Sequence, residues 1–209
     1  MDFSLTVAGQ VVDDVVDTIR RYCGLSWSGG PPETFEFRYF DVLPTLPHLE
    51  PSDVLVAAAF YAGLSRRDLA FYEDHMSALE SWLAELPINT PLAALNAAGQ
   101  ARLCELSERC GEYWQLRVIS PVLHRKRPEL IPLMHRSTLK WYGIRGEDVS
   151  ESWKLLVTQL QEDLCDDQNR RSLMEVREEL RRELGSNTPT DLRMLDIAIS
   201  MATRPDVAR

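Results

Sequence analysis

The sequence lacks any apolar run close to the roughly 18–20 residues that a membrane-spanning helix needs. Its best candidate, residues 54–64, is interrupted by Tyr61 and Gly63 and reads as a buried core helix. The start of the chain holds Asp2 and no basic leader region, so it does not read as a secretory signal. There is no Cys-x-x-Cys pair. Cys23, Cys104, Cys110 and Cys165 are scattered, which argues against a zinc ribbon or a four-cysteine iron–sulfur site. They read instead as reduced core residues of a cytoplasmic protein. His48, His75, His124 and His135 show neither an i, i+4 pair nor a His-x-Glu spacing, so no metal is expected, and no cofactor. No internal repeat and no low-complexity linker are present.

What remains is an ordinary globular composition. At 209 residues, 44% hydrophobic and 26% charged, the chain suits one large domain or two small helical lobes around a shared core. The net charge is −9, and it is unevenly placed. Residues 1–100 carry 14 acids and 5 bases, whereas residues 101–209 carry 18 of each. Residues 117–145 hold seven bases (Arg117, Arg125, Lys126, Arg127, Arg136, Lys140 and Arg145) against one acid, Glu129. An acidic protein of this kind cannot coat a polyanion, but one local patch can meet phosphate or carboxylate groups.

Apolar spacing over residues 10–22 predicts a helix. Gly-Gly-Pro-Pro at 29–32 breaks the chain. FEFRYF at 35–40 alternates aromatic residues, which fits one short N-terminal strand or an aromatic-rich helix start. From Pro51 onward the reading is helical. Pro51 opens a central helix over residues 52–62, and Ser65 with Asp68 is a capping-box variant opening the next. Thr90-Pro91 predicts the start of a helix over 92–113, and Ser120-Pro121 predicts another start. Arg127-Pro128 ends it, because a residue before proline is pushed out of the α region. Asp148 with Glu151 begins a further helix, a charged helix stops at Gly185, and Thr188-Pro189 with Asp191 caps the last one.

Two segments carry a family resemblance: SPVLHRKRPELIP at 120–132 and LRMLDIAISM at 192–201. They resemble an uncharacterised family common in actinobacteria, itself distantly similar to the helix-hairpin-helix DNA glycosylase superfamily. The resemblance covers residue 40 to the C-terminus. It implies a mostly all-α, multi-helix, two-lobe fold forming a single helical domain over 1–209, with approximate lobes 1–118 and 119–209. In the superfamily, a Gly-rich hairpin offers backbone N–H groups to a DNA phosphate and an aspartate serves the flipped nucleotide. Here no glycine lies between Tyr113 and Ser120, and Pro132-Leu133-Met134-His135 stands where the family has Pro-Ile-Tyr-Asp. The hairpin and the catalytic position are both degenerate.

The resemblance makes His135 the candidate catalytic residue, an imidazole in place of a carboxylate, with Arg136 beside it. His124, Arg125, Lys126 and Arg127 read as an anion clamp or as helix-end charges, at least one being a structural base paired with an acid from the N-terminal half. Lys140, Trp141 and Tyr142 read as a stacking surface or as core packing. Arg193 and Asp196, at i, i+3, read as an internal strut. Trp27 reads as a pocket lid or as a self-anchored loop aromatic. The leading functional reading is a glycosylase-like helical scaffold repurposed to bind or transform a small anionic or aromatic molecule, as in secondary metabolism. Alternatives are a nucleic-acid-binding or repair-related protein and a non-catalytic interaction module, with the charged helix at 170–184 pairing with a partner or with its own copy in a homodimer.

Overall fold

Leu5 and Val7 point inward on either side of Thr6, and strand β1 (Leu5–Val7) pairs antiparallel with β2 (Gln10–Val12), Leu5 opposite Val12. The computed structural model describes residues 3–25, 37–42, 48–57, 65–145 and 147–203. The hairpin turns on Ala8 (φ 52°) and Gly9 (φ 73°), two consecutive left-handed residues as the tightest hairpins require. Val11 and Val12 therefore belong to a strand, and helix α1 (Val15–Cys23) begins only after it, ending at left-handed Gly24. The alternation of Phe35, Phe37 and Tyr39 does not make a strand over its described part. Phe37–Asp41 is one turn of π-helix, closed by Val42 N–H to the Phe37 carbonyl at 3.1 Å. Phe35, the Gly-Gly-Pro-Pro loop, Trp27 and the second half of the helix expected at 52–62 lie outside the described residues.

The rest is helical: α2 (Pro51–Ala57), α3 (Arg66–Glu85), α4 (Ala97–Cys110), α5 (Tyr113–Lys126), α6 (Arg136–Trp141), α7 (Val149–Cys165), α8 (Asp167–Leu184) and α9 (Asp191–Ala202). With α1 they make nine α-helices among the described residues, so the fold is mostly all-α. The capping box at Ser65 is complete: Ser65 Oγ accepts from Asp68 N–H, and Asp68 accepts from Ser65 N–H. Asp148 accepts from Glu151 N–H and opens α7, and α8 stops at Gly185.

Three boundaries differ from the sequence reading. Thr90-Pro91 opens only a 3-10 turn, Leu92–Ala94, and α4 starts later, with Asn96 accepting from Gly99 N–H at 2.9 Å. The last helix is capped by Thr190, not by Thr188. Pro121 lies inside α5 rather than at a start. Its neighbours Ile119, Val122 and Leu123 are fully buried, and their burial outweighs the roughly 3 kcal/mol an interior proline costs. Ser120 Oγ is diverted from capping: it accepts from Met134 N–H at 2.9 Å.

Helix α9 is the axis of the core. Every residue from Leu192 to Ile199 is buried, and the helix packs against α1 and α6, while α4 packs on α7 and α2 on α5. Trp82 and Trp153 are wholly buried, their indole N–H groups donating to the Arg102 and Leu103 carbonyls of α4. The N-terminal hairpin is tied on by side chains. Asn169 accepts from Thr6 N–H (2.8 Å) and donates to the Thr6 carbonyl (2.6 Å), and Asp163 accepts from Ala8 N–H (3.1 Å). Cys23, Cys104 and Cys110 are buried free thiols, as a core role requires, whereas Cys165 is exposed. Among the described residues no helix is long and apolar enough to cross a membrane.

Candidate functional site

Thr190 begins the site. Its Oγ1 accepts from Arg193 N–H (3.2 Å) and donates to the Pro128 carbonyl (2.8 Å), which sets the first turn of α9 against the end of α5. Arg193 in that turn faces the core and is 2% exposed. A buried guanidinium must be paired and hydrogen-bonded. Its Nε donates to Asp41 Oδ1 (2.8 Å), its Nη2 to Asp41 Oδ2 (3.2 Å) and to the Tyr22 hydroxyl, and its Nη1 to Asp196. The Tyr22 hydroxyl in turn donates to Asp41 (2.6 Å), and Thr138 donates to Asp196 (3.3 Å). Burial opposes the charge on Arg193, but Asp41, Tyr22 and Asp196 overcome it and hold the group firmly ionised. The i, i+3 pair is thus the core of a four-element network.

At the C-terminal turn of α5, His124, Arg125 and Lys126 are all buried although they point in different directions. Asp53 of α2 takes two of them: Lys126 Nζ lies 2.8 Å from its Oδ2, and Arg125 Nη1 lies 3.6 Å from its Oδ1. Arg125 Nε also donates to the Phe40 carbonyl at 3.1 Å. His124 stacks on Phe40, ring centroids 5.9 Å apart and 15° from parallel, and its Nδ1 contacts the Ile131 carbonyl at 2.6 Å. Burial, reinforced by Arg193, pushes the imidazole down to about 4. It is neutral at physiological pH.

Between these groups lies a cavity of about 210 Å³, lined by Phe40, Asp41, His124, Arg125 and Arg193 and roofed by residues 186–190. Lys126 and Arg127 line a neighbouring cavity of about 280 Å³ on the other side of Thr190 and Pro128. A larger groove of about 840 Å³ runs along α8, but its Arg170 and Arg177 sit on the neighbouring Asp167 and Asp191. The smaller cavity is the better candidate because the two sequence motifs and their buried polar groups converge on it.

The other predicted residues are not gathered there. His135 is the N-cap of α6, half-buried, its Nδ1 accepting from Ser137 N–H at 3.3 Å, and it lines none of these three cavities. Arg136 and Lys140 are exposed. Trp141 donates to the Val7 carbonyl (3.0 Å) and Tyr142 to Asp163 (2.6 Å), so these two rings brace the N-terminal hairpin and α7, in line with the packing alternative of the two readings. Asp41, Tyr22, Asp53 and the 186–190 roof did not stand out in the sequence; the one signal was the acid excess of the N-terminal half. Among the described residues, no group of three or more His, Cys, Asp or Glu side chains is disposed to hold a metal ion.

The family of unknown function DUF6308 matches residues 15–203, and the chain belongs to that family. The matched span contains every residue of the network, from Tyr22 to Asp196. No curated protein and no solved structure matches the chain.

Proposed function

We propose that this member of a family of unknown function binds a small molecule in the cavity beside Phe40 and His124, on a glycosylase-like helical scaffold put to a different use. The observation that carries the reading is the convergence of residues 120–132 and 192–201 on one cavity lined by buried polar groups. Its volume of about 210 Å³ is small beside the usual ligand pocket of about 300–1,000 Å³, so the ligand is about the size of a single ring or an amino acid. Of the two ligand classes the sequence suggests, the aromatic one has the better support. Phe40 and the His124 imidazole bring two stacked rings to the lining, whereas Arg193 is matched by Asp41 and Asp196, and Arg125 with Lys126 by Asp53. The same matching weakens the case for nucleic acid. So does the turn between α4 and α5, where Glu112 brings a carboxylate to the helix N-terminus that a phosphate would occupy.

Thermal-shift screening with single-ring compounds and small acids tests this. The expected result is a stabiliser whose effect disappears in Asn187→Trp, a change at an exposed position of the cavity roof that fills the mouth without touching the buried pairs. A stabiliser indifferent to Asn187→Trp, or a panel with no stabiliser at all, would sink the reading.

A further inference from the structure

We propose that His124 selects the ligand through one hydrogen bond, its Nε2 accepting an N–H or O–H from an uncharged group. The site then prefers small ring-bearing donors, such as phenols and lactams, over the corresponding acids. This rests on the cavity being the binding site.

The Ile131 carbonyl fixes the tautomer of His124. It lies 2.6 Å from His124 Nδ1 and can only accept, so the proton of the neutral ring sits on Nδ1. Nε2 is left with a lone pair. His124 is 2% exposed and lines the cavity, and among the described residues nothing donates to Nε2. An acceptor at a cavity with no protein donor gains a hydrogen bond from a ligand that brings one. The lone pair lies in the imidazole plane, and Phe40 stacks within 15° of parallel to that plane. A donor in the cavity therefore meets Nε2 along the plane of the imidazole ring.

The surrounding charges settle what kind of donor fits. Protonating His124 would place a second cation beside Arg193, and burial with that neighbour holds the imidazole neutral. A carboxylate would arrive at guanidinium groups already engaged with Asp41, Asp196 and Asp53, and would face Asp41 itself in the cavity wall. An uncharged O–H or N–H meets neither obstacle.

The test uses the full chain labelled with ¹⁵N on histidine and three probes: phenol, anisole and benzoate. The expected spectrum shows His124 protonated at Nδ1 and bare at Nε2 between about pH 5 and 8. Phenol should shift the Nε2 resonance and bind roughly tenfold or more tighter than anisole, which keeps the ring and loses the donor. Benzoate should bind no better than anisole. His124→Phe should erase the preference for phenol, and His124→Gln, which returns an amide oxygen near the Nε2 position, should keep part of it. If His124→Phe fails to fold, the spectrum of the unmodified chain still decides. A proton on Nε2, equal binding of the three probes, or an Nε2 resonance unmoved by saturating phenol overturns the proposal. Should any probe bind as well in Asn187→Trp, the cavity reading falls too; should the probes lose binding there but show no preference among themselves, only the role of His124 falls.

Discussion

Single side chains decide how much of this molecule's charge is available to anything else. Asp53 is the clearest case. It is 5% exposed, holds both Arg125 and Lys126, and accepts from Glu50 N–H at the start of α2. Asp53→Ala removes the carboxylate that two buried cations share and should cost about 3–5 kcal/mol, read as a lower denaturant midpoint. That an N-terminal acid would answer the basic stretch was legible in the charge asymmetry; which acid was not, because 73 residues separate Asp53 from Lys126. His124 gives a pH signature. Its folded pKa of about 4 lies below the ordinary value of 6.5, so folding favours the neutral form. The resulting stability is fully present above pH 6.5 and is lost as pH falls from there toward about 4. A shift of this size corresponds to about 3 kcal/mol, and His124→Gln should flatten that part of the stability–pH curve.

At the scale of elements, boundaries marked by local hydrogen bonds were readable and those set by tertiary packing were not. Ser65 with Asp68, Asp148 with Glu151, and Gly185 mark real helix ends because each acts within its own turn. Ser120-Pro121 carries the same local signature yet lies mid-helix, since the buried faces on both sides hold the helix through it. The hairpin escaped notice because Ala8 takes a left-handed position where asparagine or glycine would have announced a turn. Thr190 joins the two motif elements, capping α9 and reaching the Pro128 carbonyl. Thr190→Ala should cost about 1–2 kcal/mol and lower Tm by about 2–6 °C in calorimetry. Thr190→Ser, which keeps the hydroxyl, should recover most of the loss.

The whole molecule is built so that its ends depend on each other. Tyr22 and Asp41 from the first fifth of the chain complete the shell of Arg193 near the last, and β1 rests on α8 through Asn169. Such pairings, 152 and 163 residues apart, leave no periodicity for a sequence to show. Asn169 is fully buried, and its amide spans Thr6 N–H, the Thr6 carbonyl and the Asp163 carbonyl. Asn169→Asp would turn a carboxylate toward two carbonyls, and the Thr6 amide should then exchange with solvent far faster while amides of the α9 core keep their protection. The same amide has another consequence. Chemically it is a peptide group, and it stands where a third strand would lie, so the sheet is finished by a single residue that offers nothing further to pair with. Shortening it in Asn169→Ala takes the partner from the Thr6 N–H and carbonyl, and unpaired strand edges recruit strands from other chains. Concentrated Asn169→Ala protein should therefore associate, as light scattering would detect, under conditions where the unaltered chain does not.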